Sequence, residues 1–207
     1  MNILLSHGSP NDVHRHAVEA LAQKVSALLG EPVNAAFLDD DLPKNAKILP
    51  LFLLHGRHLE RDVPKMLEST QSQLIDGPAE YPADMAQMAF ELASKQREKQ
   101  RAVMFALYRL GAADTLMAEL YDRSKKFSLP AIAALHGQCS AASVLELWKR
   151  EGFAEVLIQP VLLFPGHSMD ALAELAASSG LAVSIGPVLS EHPRFVEWLA
   201  GRFQETV

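Results

Sequence analysis

The chain has 207 residues, 49% of them hydrophobic and 21% charged, with a formal net charge of -6, which is enough to bury a core in one large domain or two small ones. The acidic balance excludes a non-specific nucleic-acid binder and leaves no polybasic patch for a membrane surface. A single cysteine, Cys139, excludes an intrachain disulfide and an all-thiolate zinc site and fits a reducing cytoplasm.

Asn2 to Leu5 reads as a strand, too short and too lacking in basic flanks for a signal peptide or a membrane span. SHGSP (Ser6 to Pro10) breaks it. From about Val13 to Leu29, apolar Val18, Leu21, Ala22, Val25, Leu28 and Leu29 recur at helical spacing until Gly30 stops the helix. His7 therefore stands at a strand's carboxyl end. The small-residue loop has neither the dinucleotide nor the P-loop glycine pattern.

VNAAFL (Val33 to Leu38) is a second strand, ended directly by Asp39, while Asp40 and Asp41 read as a solvated turn. Only Asp40 to Asn45 separate it from AKILPLFLL. Six extended residues reach about 20 Å, and a parallel crossover normally takes a dozen or more. Either the chain crosses the sheet directly without a helix, or VNAAFL is short, irregular or antiparallel.

The apolar run Leu49 to Leu54 reads as a strand buried on both faces of a parallel sheet. His55, Gly56, Arg57 and His58 follow it, and in open α/β sheets that carboxyl edge is where ligands bind. A helix is expected from about Leu59 to Gln71, a short strand at Leu74 and Ile75, a turn at Asp76 to Pro78, and another helix from Pro82 to Gln100.

The second half repeats the first. PLFLLHG (Pro50 to Gly56) lines up with PVLLFPG (Pro160 to Gly166) at an offset of 110, Gly77 and Pro78 with Gly186 and Pro187 at 109, Asn2 to Leu5 with Val103 to Ala106 at 101, and VNAAFL with PAIAAL near 98. The jump from 98 to 110 places twelve extra residues between the second and third strands of the second half, where AASVLELWKR (Ala141 to Arg150) supplies a helix. The expected architecture is α/β, with two tandem parallel-sheet lobes, 1-100 and 101-207, the first missing the helix between its second and third strands. His7 and His58 have no histidine at their aligned positions in the second lobe, although His136 and His167 lie near its strand ends. That asymmetry is expected of one active site between two lobes.

SHGS after the first strand, FLD after the second and PLFLLHGRHLERDVP after the third, repeated in degraded form, together resemble the sirohydrochlorin cobaltochelatase and ferrochelatase family, class II chelatases, in their two-lobed long form. The resemblance covers nearly the whole chain. It implies flavodoxin-like lobes that insert Co²⁺ or Fe²⁺ into sirohydrochlorin or a related tetrapyrrole, with the metal as substrate and no permanently bound cofactor. The family's first-strand histidine falls on His7, its GxH histidine on His58, and the acid of its FLE segment on the shorter Asp39. His7 and His58 are thereby the candidate catalytic residues, and together with Asp39 the candidate metal ligands. His55 stands where the family often has a small residue or proline.

The residue chemistry agrees. Neutral imidazoles suit first-row divalent ions and accept protons near pH 7, and a carboxylate compensates the charge of an arriving ion. Because sirohydrochlorin is polycarboxylated, Arg57 and Arg61, with Arg15 or Arg109, are candidates for its acid groups, and His55 joins the candidate substrate contacts. A histidine phosphoesterase reading fails, since Ser6 stands where that chemistry wants an arginine. The alternative is a non-catalytic tetrapyrrole or metal carrier, favoured by the lost helix and by Asp39. A cytoplasmic monomer or weak homodimer without nucleic-acid or membrane partners is expected.

Overall fold

The computed structural model describes residues 1–8, 12–96, 102–109, 111, 113–137 and 139–205. The first sheet contains β1 (Asn2–Ser6), β2 (Val33–Phe37), β3 (Lys47–Pro50) and β4 (Gln73–Leu74) in the order β2-β1-β3-β4, all parallel. Every residue of β1 is buried, as an apolar central strand of a parallel sheet must be. Helix α1 (Asp12–Leu29) follows β1, buries Val18, Leu21, Ala22 and Val25, and ends at Gly30, whose φ of 71° closes it with a left-handed residue. The strand order is that of a flavodoxin-type sheet, whose switch point lies between β1 and β3.

The chain does cross directly from β2 to β3. Register aligns Phe37 with Ser6 and Lys47 with Asn2, so the connection descends four strand positions, about 13 Å, and moves sideways by two strand spacings, about 10 Å, a diagonal of roughly 17 Å. The ten steps from Phe37 to Lys47 span up to about 35 Å, and no helix is needed. Leu38 and Leu42 of this connection pack against the core formed by Ile3, Leu5, Ala36, Ile48 and Val63. The crossing thus covers part of the face that a helix would otherwise cover.

The third strand is shorter than its apolar run. It ends at Pro50, with one further ladder bond from the Leu51 N–H to the Leu5 carbonyl. Beyond that point β1 has ended and β4 has only two residues, so the chain has no partner to extend along. Leu51 and Phe52 remain buried but leave the sheet. The expected helix from Leu59 to Gln71 is a π-helical turn, His58–Asp62, running into α2 (Val63–Thr70), and Gln71 at φ 52° ends it. Helix α3 covers Pro82–Gln96, and the rest of the expected helix lies outside the described residues.

The second sheet has the same order, β6-β5-β7-β8, again parallel, from β5 (Ala102–Leu107), β6 (Leu129–Ala134), β7 (Glu155–Pro160) and β8 (Ala182–Ile185). Around it run α4 (Asp114–Ser124), α5 (Ala141–Arg150) and α6 (His167–Ser178). Helix α5 occupies the span that the repeat offset assigned to it. The Ser140 side chain caps it by accepting from the Ser143 N–H, and Ala141, Leu145 and Trp148 enter the core.

The repeated Gly-Pro has a steric cause. A Cβ at Gly77 would lie 2.1 Å from the Pro50 carbonyl oxygen, and one at Gly186 would lie 2.4 Å from Gln159 Oε1. Each glycine lets the segment after the fourth strand pass close to the end of the third.

The sequence repeat divides the chain near residue 101, whereas the compact units divide it otherwise. One comprises Met1–Tyr81 with Pro193–Val207, the other Pro82–His192. Helix α7 (Phe195–Glu205), at the end of the second repeat, packs on α1 in the first unit, and α3, at the end of the first repeat, packs on α4 and β7 in the second. The reason lies in the buried faces: Met85, Met88 and Leu92 of α3 and Phe195, Leu199 and Phe203 of α7 each complete the unit that their own repeat does not. Among the described residues no helix is long and apolar enough to cross a membrane.

Candidate active site

The β1/β3 switch point puts the residues after Ser6 and those after Leu51 beside each other at one sheet edge. His7 follows β1 directly and is exposed. Its Nδ1 lies 2.9 Å from the Gly8 carbonyl oxygen. A carbonyl can only accept, so Nδ1 carries the proton and Nε2 keeps its lone pair for an incoming proton or metal ion.

His14 on α1 lies against His7, with ring centroids 4.5 Å apart and planes within 17°. It is 5% exposed, and its Nε2 is 3.1 Å from the Ser6 hydroxyl, itself fully buried. Burial, and behind it the neighbouring His7, push the His14 imidazole from 6.5 down to about 4, while a hydrogen bond with the His7 backbone acts in the opposite direction. His14 is therefore neutral near pH 7. Asp39 also reaches this corner. A Cβ on Gly8 would sit 2.8 Å from Asp39 Oδ1, so the carboxylate rests against the backbone next to His7.

His58 opens the π-helical turn after β3. Its Nδ1 is 2.7 Å from Asp62 Oδ2, four residues on, and its ring stacks on Phe52 at 5.9 Å. As at His7, an oxygen acceptor holds Nδ1, and Nε2 makes no hydrogen bond among the described residues. Oxygen partners of this kind orient metal-ligating histidines.

The other predicted residues fall into two groups. His55 is half exposed, with Nε2 3.8 Å from Glu80 Oε1. Arg57 and Arg61 are exposed and have no ion pair among the described residues, which leaves both guanidinium groups available to acids in solution. Arg15 is held with its guanidinium 4.0 Å over the Phe37 ring. In the second unit Arg109 lies 5.4 Å over Tyr108, whose ring meets His136 edge-on at 5.1 Å, and His167 Nδ1 lies 3.8 Å from Asp170. Among the described residues no group of three or more His, Cys, Asp or Glu side chains is arranged as a metal site. The structure brings Asp39 against the backbone beside His7 and places His58 at the start of the helical turn that follows the adjoining strand, β3.

Beside the predicted residues stand three more, Ser6, His14 and Asp62, which contact His14, His7 and His58 respectively. Two of these had a signal. His14 falls on the stripe Val18, Leu21, Val25 at helical spacing, which marks a buried histidine in contact with the strand. Asp62 stands four residues after His58, the spacing of neighbours on one helical face.

The sequence profile of the CbiX family matches residues 1–127 and, a second time, 116–206. The chain belongs to the CbiX family. This is the sirohydrochlorin chelatase family to which the third-strand motif pointed, and the double match reflects the internal repeat. A solved structure of CbiX, the terminal enzyme for biosynthesis of siroheme in denitrifying bacteria, is similar over 100% of both chains, with a TM-score of 0.70 and 17% identity. At that identity the likeness speaks for the fold. No curated protein matches the chain.

Proposed function

We propose that this protein is a cytoplasmic chelatase that inserts Co²⁺ or Fe²⁺ into sirohydrochlorin or a related tetrapyrrole, in siroheme or cobalamin synthesis. The observation that carries the reading is the common arrangement of His7 and His58. Two imidazoles, one in the loop after β1 and one opening the turn after β3 of the same sheet, each have Nδ1 held by an oxygen acceptor and no hydrogen bond at Nε2 among the described residues. Membership of the CbiX family supplies the reaction class.

Insertion exchanges one M²⁺ for two pyrrole protons. The macrocycle loses both N–H protons, the ion gains four nitrogen ligands, and two protons must leave the site. Nε2 of His7 and Nε2 of His58 are the acceptors, and before that step the same lone pairs hold the arriving ion. Asp39, beside His7, offsets the charge of the ion. Arg57 and Arg61 meet the carboxylates of the macrocycle, with His55 beside them. Imidazole and carboxylate ligands serve cobalt and iron alike, so ion supply decides between them.

The test is an anaerobic absorbance time course with sirohydrochlorin and Co²⁺ or Fe²⁺, comparing wild type with the His7→Ala, His58→Ala double variant after subtracting uncatalysed insertion. Acceleration by wild type alone is expected. A binding shift without acceleration would replace this reading with that of a tetrapyrrole carrier, which the short Asp39 side chain and the helix-free crossing behind it favour.

A further inference from the structure

The geometry points to His14, anchored by Ser6, as the residue that positions the His7 ring, a role that rests on the chelatase reading above. His7 is exposed and begins a loop, and its bond to the Gly8 carbonyl spans only one residue. That bond sets the tautomer but does little to fix where the ring points. An unrestrained histidine side chain has about six staggered combinations, three at χ1 and two at χ2. A nucleophile or ligand held in one of them gains in rate by the fraction of time it spends there.

His14 supplies the missing restraint. It lies on the buried face of an 18-residue helix, in an edge-type contact with the Phe37 ring at 6.4 Å. The Ser6 hydroxyl, 3.1 Å from Nε2, and a hydrogen bond with the His7 backbone fix its rotation from the end of β1. The chain that bears the His7 backbone thus also anchors the ring on which the His7 side chain rests. With planes 17° from parallel, the face of His14 leaves the edge of His7, including Nε2, open. His14 is enclosed and does not itself take part in the reaction.

Three variants separate positioning from simple filling of space. His14→Phe keeps a flat ring beneath His7, His14→Leu fills similar volume without one, and Ser6→Ala removes only the side-chain anchor. His14→Leu is expected to lower kcat about 5-fold, from the rotamer count, with KM for both substrates within about twofold of wild type. His14→Phe is expected to recover most of that loss. In a long-range proton–nitrogen correlation spectrum of the metal-free protein, the His7 ring is expected as the Nδ1–H tautomer with a distinct shift in wild type and His14→Phe. It moves toward the average of free histidine in His14→Leu, and partway in Ser6→Ala. Equal kcat for Phe and Leu variants, or a His7 signal unchanged in His14→Leu, would overturn the proposal. If wild type accelerates no insertion, the chelatase reading fails and the His7 spectrum alone still decides for or against positioning.

Discussion

Replacing Asp62 tests how much of the site's activity depends on holding one imidazole still. The His58–Asp62 bond is short, 2.7 Å, yet the side chains are 54% and 37% exposed, so its worth to folding is that of a surface pair four residues apart, about 0.3–0.5 kcal/mol. For a chain of this size that corresponds to a melting shift of about 1–2 °C. Its worth to function is larger. Without Asp62, His58 is free to sample about six rotamers and two tautomers, which dilutes the productive state by about 12-fold at most, or roughly 1.5 kcal/mol. Loss of an oxygen partner behind a ligating histidine commonly costs about 10–100-fold, and the exposure of this pair places it at the low end. Asp62→Ala is therefore expected to lower kcat about 10-fold with nearly unchanged melting, and Asp62→Asn, whose Oδ1 still accepts from Nδ1, to lose less. Initial insertion rates at saturating metal and tetrapyrrole, paired with thermal melts, measure both. A kcat for Asp62→Ala within twofold of wild type, or a loss matched by a large fall in melting temperature, would refute the argument.

His7→Ala and His58→Ala are each expected to abolish insertion while leaving thermal stability nearly unchanged, because both rings are exposed; a large stability loss in either would make that residue structural. His55→Ala is expected to cost less than His58→Ala, and equal damage would add a third imidazole to the site. His14 binds a proton less readily folded than unfolded, so its contribution is complete above about pH 6.5 and fades as pH falls toward 4. Between pH 7 and 4.5 wild type is expected to lose about 2 kcal/mol through this group, a slope that denaturant titration of His14→Phe should lack. Gly77→Ala forces a Cβ to within 2.1 Å of the Pro50 carbonyl oxygen and is expected to destabilise by about 3 kcal/mol or more. Gly201→Ala, inside α7 with nothing within 4 Å, is expected to stabilise by about 0.5–1 kcal/mol, and equal melting of the two variants would contradict the steric account of Gly77.

Elements announced by periodicity and by the internal offset were legible without coordinates. Helix α5 and its missing counterpart followed from twelve residues of extra spacing, and the candidate histidines were singled out by their place after apolar runs. Where legibility failed, the deciding partner lay elsewhere in the chain. The third strand stops at Pro50 because its neighbours run out, not because Leu51 or Phe52 is ill suited to a strand. The part that His14 plays depends on Ser6 and His7, which no count along α1 reveals. The apolar stripe of α3 is legible, but a stripe carries no address, and its destination in the second unit is fixed by the face it covers.

That exchange of helices gives the chain a history on the ribosome. The first unit is finished only by Phe195–Glu205, which is made after α1 to α6. More than a hundred residues separate Tyr81 from that helix, and at about 5–20 residues per second their synthesis takes on the order of 6–25 s. During that interval the face of α1 that α7 will cover has no partner. A transcript cut after the first repeat would encode the histidines yet leave α1 uncovered and α3 without its second-unit neighbours. Each repeat thus carries a helix whose buried face is covered in the unit built mainly from the other repeat.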